Sequence, residues 1–365
     1  MKIFYGVQGT GNGHLTRARA LQQAFAERTD AQVDYLFSGR ARDDYFDMEQ
    51  FGEWECRAGL TFYHQNGRID FLKTIKNNKI RTFFRDISEL DLSTYDIVLT
   101  DFEPVTAWAA KRSGKQVIGM GHQYAFDFAI PKRGNSIVAQ SIMNQFAPVN
   151  FGLGLHWHHF GYPILPPIAE TTTKEQPIQD NKIVVYLGFE DPDRVIQLLS
   201  PFTEYEFYFY GTFPEPKSLG NIHLRPLSRD GFKADLASGS GVICNAGFEL
   251  ASEAIELGKK LLVKPLHGQM EQLSNALALE SLNLGKCMEK LDSHAVKDWL
   301  DNTQGIKVKY PNVAKAIVNW VLEGEWNERS RNQLAKTLWN QVESPHIEEF
   351  ANIPLLEKAL AMPAS

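Results

Sequence analysis

Cysteine is scarce in this chain: three in 365 residues, Cys56, Cys244 and Cys287, far apart and without the spacing of a metal site or redox pair. That excludes a disulfide-stapled fold and suits a reducing compartment. Long apolar runs are missing too, and none approaches the about 20 residues of a membrane-crossing helix. The first residues lack the charged-then-apolar pattern of a secretion signal, so a cytoplasmic protein is expected. Positive charge is not in excess. A formal net charge of −6 argues against the basic face that nucleic-acid binding requires. No internal repeat is visible. What remains is an ordinary globular composition, 43% hydrophobic and 22% charged, over a length that predicts two domains.

Apolar stretches at 2–7, 32–38, 96–101, 116–120 and 151–156 predict strands, and the patterns at 14–28, 68–90, 104–113 and 135–147 predict helices. Such alternation builds βαβ units on a mainly parallel sheet. Residues 161–181, opening Gly161-Tyr162-Pro163-Ile164-Leu165-Pro166-Pro167, read as a stiff interdomain linker. The rhythm restarts with strands at 182–187, 205–210, 221–224, 241–244 and 260–264. The expected fold class is α/β, two doubly wound Rossmann-like domains facing a cleft. Their expected spans are 1–162 and 178–325, with helices over 326–365 packing back on the first domain. Ligands of such sheets gather at the carboxyl ends of strands. The residues to watch are therefore 9–14, Asp101-Phe102-Glu103-Pro104 and Gly121-His122-Gln123.

Residues 9–14 read Gly-Thr-Gly-Asn-Gly-His, between a strand and a helix. A third glycine at the last place would complete a dinucleotide fingerprint, and His14 stands there instead. After the second strand comes Ser38-Gly39-Arg40 rather than an acid for a ribose. A nicotinamide enzyme is disfavoured, although Arg40 leaves a 2′-phosphate reader open. His14 is either a helix-start residue without chemistry or an imidazole placed to take a proton at a cleft.

The densest stretch is 241–276. A buried strand ends in Asn245-Ala246-Gly247, whose glycine turn at a helix start offers N–H donors to a diphosphate. On the following helix Glu249, Ser252, Glu253 and Glu256 share a face, either to accept bonds from a ribose or as a solvated surface. The next strand-end loop carries His267, Gly268, Glu271 and Gln272, which either read sugar hydroxyls or merely begin a helix.

On these residues the chain resembles the two-domain GT-B nucleotide-sugar glycosyltransferases, in particular the MurG-type N-acetylglucosaminyltransferases and their relatives. The matches are the loop at 9–14 and, more specifically, Ala246-Gly247-Phe248-Glu249-Leu250-Ala251-Ser252-Glu253 followed by Pro265-Leu266-His267-Gly268-Gln269-Met270-Glu271-Gln272. The resemblance implies sugar transfer from a nucleotide diphosphate (UDP) sugar, with inversion. The donor is a co-substrate, and neither a separate cofactor nor a catalytic metal is expected. It implies Glu253 on the ribose and Glu271 with Gln272 on the donor sugar. Gly188, Asn245, Ala246, Gly247, Phe248, Ser252, His267 and Gly268 complete the expected donor site. Gly11, Asn12, Gly13, His122 and Gln123 are expected at the acceptor, a hydroxyl of a glycan or lipid-linked molecule. His14 would face the donor as base, with Asp101 or Glu103 orienting it or acting as base themselves.

Two departures from the family stand out. Leu187-Gly188-Phe189-Glu190-Asp191 replaces a Gly-Gly-Ser-type phosphate loop, and Asp101-Phe102-Glu103-Pro104 replaces the acceptor-binding glycine motif. The second argues against a muramyl-pentapeptide lipid as acceptor. Glu103, Glu190 and Asp191 keep a nucleotide-sugar 2-epimerase open, and a non-catalytic nucleotide-sugar-binding protein is a further alternative.

Three other features have two readings each. Asp191-Pro192-Asp193 is a metal-binding acid pair or, more simply, a helix cap. His156-Trp157-His158-His159 is a metal site or a structural turn. The basic and aromatic stretch 68–85 is a core-packed helix or a peripheral contact with the inner membrane face.

Overall fold

A computed structural model describes residues 1–61, 64–65, 68–69, 79–134, 145–169 and 176–344. The first lobe is a parallel sheet of β1 (Lys2–Gln8), β2 (Gln32–Ser38), β3 (Trp54–Arg57), β6 (Ile97–Asp101), β7 (Val117–Gly121) and β8 (Phe151–Gly154) in the order β3-β2-β1-β6-β7-β8. Two-residue strands β4 (His64–Gln65) and β5 (Arg68–Ile69) form a separate antiparallel pair. Ile3, Phe4, Tyr5 and Val7 are all buried, because helices cover both faces of a parallel sheet. Those helices are α1 (Asn12–Ala26), α2 (Ile80–Glu89) and α3 (Pro104–Ser113). Of the helix expected over 68–90, Arg68–Ile69 is strand and Ile80–Glu89 is helix, and residues 70–78 lie outside the described residues. Most of the helix expected over 135–147 lies outside the described residues, as do 345–365. Strand β3 was not expected: its half-buried Trp54-Glu55-Cys56-Arg57 forms the sheet edge and has no continuous apolar run.

The second lobe holds β9 (Gln179–Tyr186), β10 (Glu206–Gly211), β11 (Lys217–Leu219), β12 (Ile222–Pro226), β13 (Gly239–Asn245), β14 (Lys260–Lys264) and β15 (Lys286–Cys287). Their order is β11-β12-β10-β9-β13-β14-β15, parallel except for β11. Helices α4 (Pro192–Leu199), α5 (Arg229–Ser238), α6 (Phe248–Glu256), α7 (Met270–Ser281) and α8 (Ser293–Asn302) follow its strands. This is the GT-B arrangement of two Rossmann-like lobes facing a cleft.

The linker expectation needs correction at both ends. Pro163 to Ile168 are buried, Leu165 bridges Leu155, and residues 179–181 already belong to β9. A run with three leucine-sized apolar residues and three prolines avoids water by packing into the junction. Two last helices, α9 (Val313–Glu323) and α10 (Glu328–Trp339), touch the first lobe. Lys315 pairs with Glu27 at 2.8 Å, and Trp339 Nε1 donates to Ile164 O at 2.7 Å.

Each sheet reverses its winding direction once, between β1 and β6 and between β9 and β13. Those reversal points open a crevice at the strand ends. They bring His14 beside Asp101 in one lobe and Gly188 towards Asn245 in the other.

Candidate active site

After β1 the chain turns through Gly9–Gly11, and α1 begins at Asn12, so His14 lies in its first turn. Gly11 caps that helix without a side-chain acceptor, leaving its first N–H groups to other partners. Asp101 ends the neighbouring strand β6, with its Oδ1 2.7 Å from His14 Nδ1. The Asp101 side chain is fully buried while His14 keeps 16% exposure. Burial pushes the Asp101 carboxyl up, but Arg17 and then His14 outweigh it and hold it below the usual carboxylate range. An ionised carboxylate only accepts, so in the neutral imidazole the proton sits on Nδ1 and Nε2 is the nitrogen that accepts.

Arg17 was not expected here. One turn along α1 from His14, it donates to Asp101 through Nε at 2.6 Å and Nη2 at 2.5 Å. Its remaining arm, Nη1, pairs with Glu249 of the second lobe. The side chain is 1% exposed. Burial works against the guanidinium's charge, but Asp101 and Glu249 more than restore it. The signal was available: position 17 shares a helix face with position 14.

Phe102 has a φ of 52°, a left-handed turn that a bulky residue rarely takes. It sends the carboxylates on either side of it to different partners. Glu103 caps α3, accepting from Val105 N at 2.9 Å, Thr106 N at 2.6 Å and Ser38 Oγ at 2.6 Å. Burial raises its carboxyl above the usual range, and these bonds offset that only in part. The expectation of Glu103 beside His14 is corrected: its oxygens are occupied at the cap.

The facing edge is built differently. Gly247 caps α6 without a side-chain acceptor, directly after Asn245 and Ala246. Asn245 donates Nδ2 to Lys264 O at 3.1 Å, while its Oδ1 is buried with no partner among the described residues. Gly188, His267 and Gly268 are exposed on the rim, and Glu253 is 7% exposed on α6. Gln272 does not reach outward: its Oε1 accepts from Leu266 N at 3.0 Å and braces the loop. Of the two acids after Gly188, Glu190 pairs with buried Lys264 at 2.7 Å. Asp191 caps α4, accepting from Asp193 N at 2.9 Å and Arg194 N at 3.4 Å. The cap explains Asp191-Pro192-Asp193.

Three residues expected to touch substrate have side chains that join the lobes. His122 is 1% exposed and stacks on Phe248 with centroids 4.1 Å apart and planes 6° apart. Its Nδ1 lies 2.8 Å from Leu155 O and its Nε2 2.6 Å from Asn275 Oδ1. Asn275 in turn donates to Ala246 O at 2.9 Å. Ser252 accepts from Trp157 Nε1 at 2.9 Å. An imidazole and a phenyl ring of matching size thus close the apolar seam, which a sequence cannot pair in advance. Gln123 also crosses, donating Nε2 to Glu271 Oε2 at 3.2 Å, and its Oε1 is buried without a partner among the described residues. That oxygen lies near the dyad, because a Cβ on Gly121 would come 3.1 Å from both Gln123 Oε1 and Arg17 Nη2. Gly121, at φ 146°, admits no other residue without strain.

The histidine run is a turn. His158 Nδ1 accepts from Phe160 N at 3.0 Å and His159 Nδ1 from Gly161 N at 2.9 Å. Burial holds His156 well below the usual histidine range. No group of three or more metal-ligating side chains occurs among the described residues. Nor is any described helix long and apolar enough to cross a membrane.

A family model described as glycosyl transferase family 1 matches residues 1–303. No curated protein matches the chain. Among solved structures, the glycosyltransferase SnogD from Streptomyces nogalater is similar with a TM-score of 0.53 and 16% identity, over 92% of this chain and 98% of that one. MurG from Acinetobacter baumannii gives 0.50 and 13%, over 88% and 99%. Arabidopsis thaliana UGT89C1, complexed with UDP-L-rhamnose, gives 0.55 and 12%, over 92% and 98%. At such identities these likenesses speak for the fold.

Proposed function

The chain belongs to glycosyl transferase family 1, and from that membership we propose that it moves a sugar from a UDP-sugar to a hydroxyl of a glycan or lipid-linked acceptor, with inversion. The observation that carries this reading is the His14–Asp101 pair at the reversal point of the first sheet, 2.7 Å apart with Nε2 left to act. Nε2 takes the acceptor's hydroxyl proton as that oxygen bonds to the anomeric carbon, and the bond from that carbon to the diphosphate oxygen breaks. Asp101 stabilises the resulting imidazolium. The uncapped start of α6 at Gly247 receives the developing charge of the diphosphate, together with the N–H of Phe248. Glu253 takes the ribose, Glu271 the donor sugar, and Gly188, His267 and Gly268 the rim of the donor pocket. Gly11, Asn12, Gly13 and Gln123 face the acceptor.

A 2-epimerase draws less support, because Glu103, Glu190 and Asp191 have their carboxylates in a cap, an ion pair and a cap. For the acceptor's location, α2 is suggestive. Ile80 and Phe84 are 49% and 63% exposed one turn apart, beside exposed Arg81 and Arg85, a surface suited to an anionic membrane. Co-sedimentation with anionic liposomes at low and high salt tests it, and absence of salt-sensitive binding ends it.

The donor assignment is tested by thermal shift against nucleotide sugars and their free diphosphates. A ligand bound only to the folded state raises the melting temperature with its occupancy. Stabilisation by UDP and one UDP-sugar, lost in Glu253→Ala, is expected. No shift by any nucleotide sugar would remove the reading.

A further inference from the structure

We propose that Arg40 recognises an anionic group on the acceptor, a carboxylate or a phosphate ester, close to the hydroxyl that receives the sugar. This builds on the proposed transfer, in which the acceptor lies over the first turn of α1.

Arg40 stands two residues past the end of β2, in a loop that lies against the loop after β1. A Cβ on Gly39, at φ 99°, would come 3.3 Å from Thr10 N. From there the Arg40 side chain turns along the first-lobe edge. Its Nε donates to Gly9 O, and Nη1 and Nη2 lie 3.3 and 3.2 Å from Asn12 Oδ1. Asp44 O is 3.5 Å from Nη1, and the Tyr45 ring lies 5.2 Å from the guanidinium carbon. All three acceptors are neutral and belong to the first lobe, and no carboxylate among the described residues bonds to this guanidinium. Arg17, by contrast, has Asp101 on one side and Glu249 on the other.

A half-buried charge without a counter-ion is unusual, because taking it out of water is costly unless it is paired. Burial works against the guanidinium's charge, and Tyr45, Tyr186 and Asp44 restore it only in part. Nη2 has two N–H groups and a single acceptor among the described residues. That leaves donors and a whole charge for a ligand, in the planar fork that suits a carboxylate or a phosphate.

Its place in the cleft says which substrate. Asn12 is two residues before His14 in the first turn of α1. Tyr186, at the end of β9, reaches Asn12 and Arg40 from the second lobe, and a Cβ on Gly188 would lie 3.7 Å from its ring. Arg40 therefore sits between the loop proposed for the acceptor and the rim proposed for the donor, tied by its hydrogen bonds to the acceptor side. The 2′-phosphate chemistry that the sequence left open for Arg40 is here turned towards the acceptor.

The experiment is thermal shift of the full chain with UDP present, titrated with methyl glucoside, glucuronate and glucose-6-phosphate. At least one anionic sugar is expected to raise the melting temperature at concentrations where methyl glucoside does not. In Arg40→Met the half-saturating concentration of that probe is expected to rise by about tenfold or more, with the UDP shift kept. A response to glucuronate alone assigns a carboxylate, and one to glucose-6-phosphate alone a phosphate ester. Arg40→Lys keeps the charge without the fork, is expected to fall between the two, and answers alone should Arg40→Met fail to fold. Protection by neither anion, equal protection by methyl glucoside, or an unchanged half-saturating concentration in the folded variants overturns the proposal. So does loss of the UDP shift in Arg40→Met, which would give the guanidinium to the donor. Failure of the transfer reading looks different: no nucleotide sugar then shifts the wild type, and the anionic probes, repeated without UDP, read Arg40 by themselves.

Discussion

The two strand edges that face each other across the cleft differ in how complete they are. In the first lobe Asp101, Arg17 and Glu103 already have their hydrogen bonds from the protein, and what is left beside them is Nε2 of His14 and the buried Gln123 Oε1. In the second, Asn245 Oδ1 and Gln269 Oε1 are buried without partners among the described residues, and Gly188, His267 and Gly268 lie exposed. An unmade bond to a buried polar group costs about 1–3 kcal/mol. One edge is bonded within the protein around His14, and the other keeps buried oxygens without partners among the described residues. On the proposed reading chemistry and recognition are divided between the lobes, and Arg17 and Gln123 are polar threads between them.

The largest effect expected is on the first edge. His14→Asn is expected to lower turnover by about 10²–10⁴ and to leave donor-induced stabilisation intact, because the proposed donor site lies on the other edge. Asp101→Asn breaks that set of bonds itself. It leaves buried Arg17 with Glu249 alone, and urea unfolding should show a loss of about 3–5 kcal/mol together with lost turnover. Glu253→Ala sharpens the contrast from the other side: the thermal shift by UDP is expected to disappear while urea unfolding of the unliganded protein stays close to wild type.

Glu103→Gln is smaller. It weakens the α3 cap by about 1 kcal/mol, visible in urea unfolding, and leaves the pH dependence of turnover where it was. The smallest effect separates the neighbouring carboxylates by sign. Glu103 is raised in the fold, so its contribution is full below the unfolded value of about 4.3 and is lost as pH climbs through the folded one. Wild type should therefore gain on Glu103→Gln in melting temperature as pH falls from 7 towards 4.5. Asp101 is lowered, so its contribution is present above the unfolded value of about 3.9 and is lost only as pH falls through the folded one. Wild type should keep its lead over Asp101→Asn until more acidic conditions than those.

The α/β architecture was legible because parallel strands buried on both faces leave unbroken apolar runs, as Ile3 to Val7 and Val242 to Cys244 do. The edge strand Trp54–Arg57 lacks that signal and was missed. His14 and Asp101 were legible as strand-end residues, since the carboxyl edge of a parallel sheet is where ligands collect. Their 2.7 Å contact was not, because it depends on β6 lying next to β1, a pairing of residues 87 apart in sequence. Family likeness also misdirected. Phe248 and Ser252 stand in the stretch matched to the family and His122 at a strand end, yet their aromatic and hydroxyl groups are consumed at the seam between lobes. Which of several polar residues in a motif faces the ligand is decided by the opposite lobe.

The central claim is that His14, held by Asp101, is the base of a sugar transfer. The most direct measurement is the rate of nucleoside diphosphate release from the UDP-sugar that best raises the melting temperature, in wild type and in His14→Asn. A fall of at least about 100-fold with an unchanged donor-induced shift is the expected result. Release within about twofold of wild type would contradict the account.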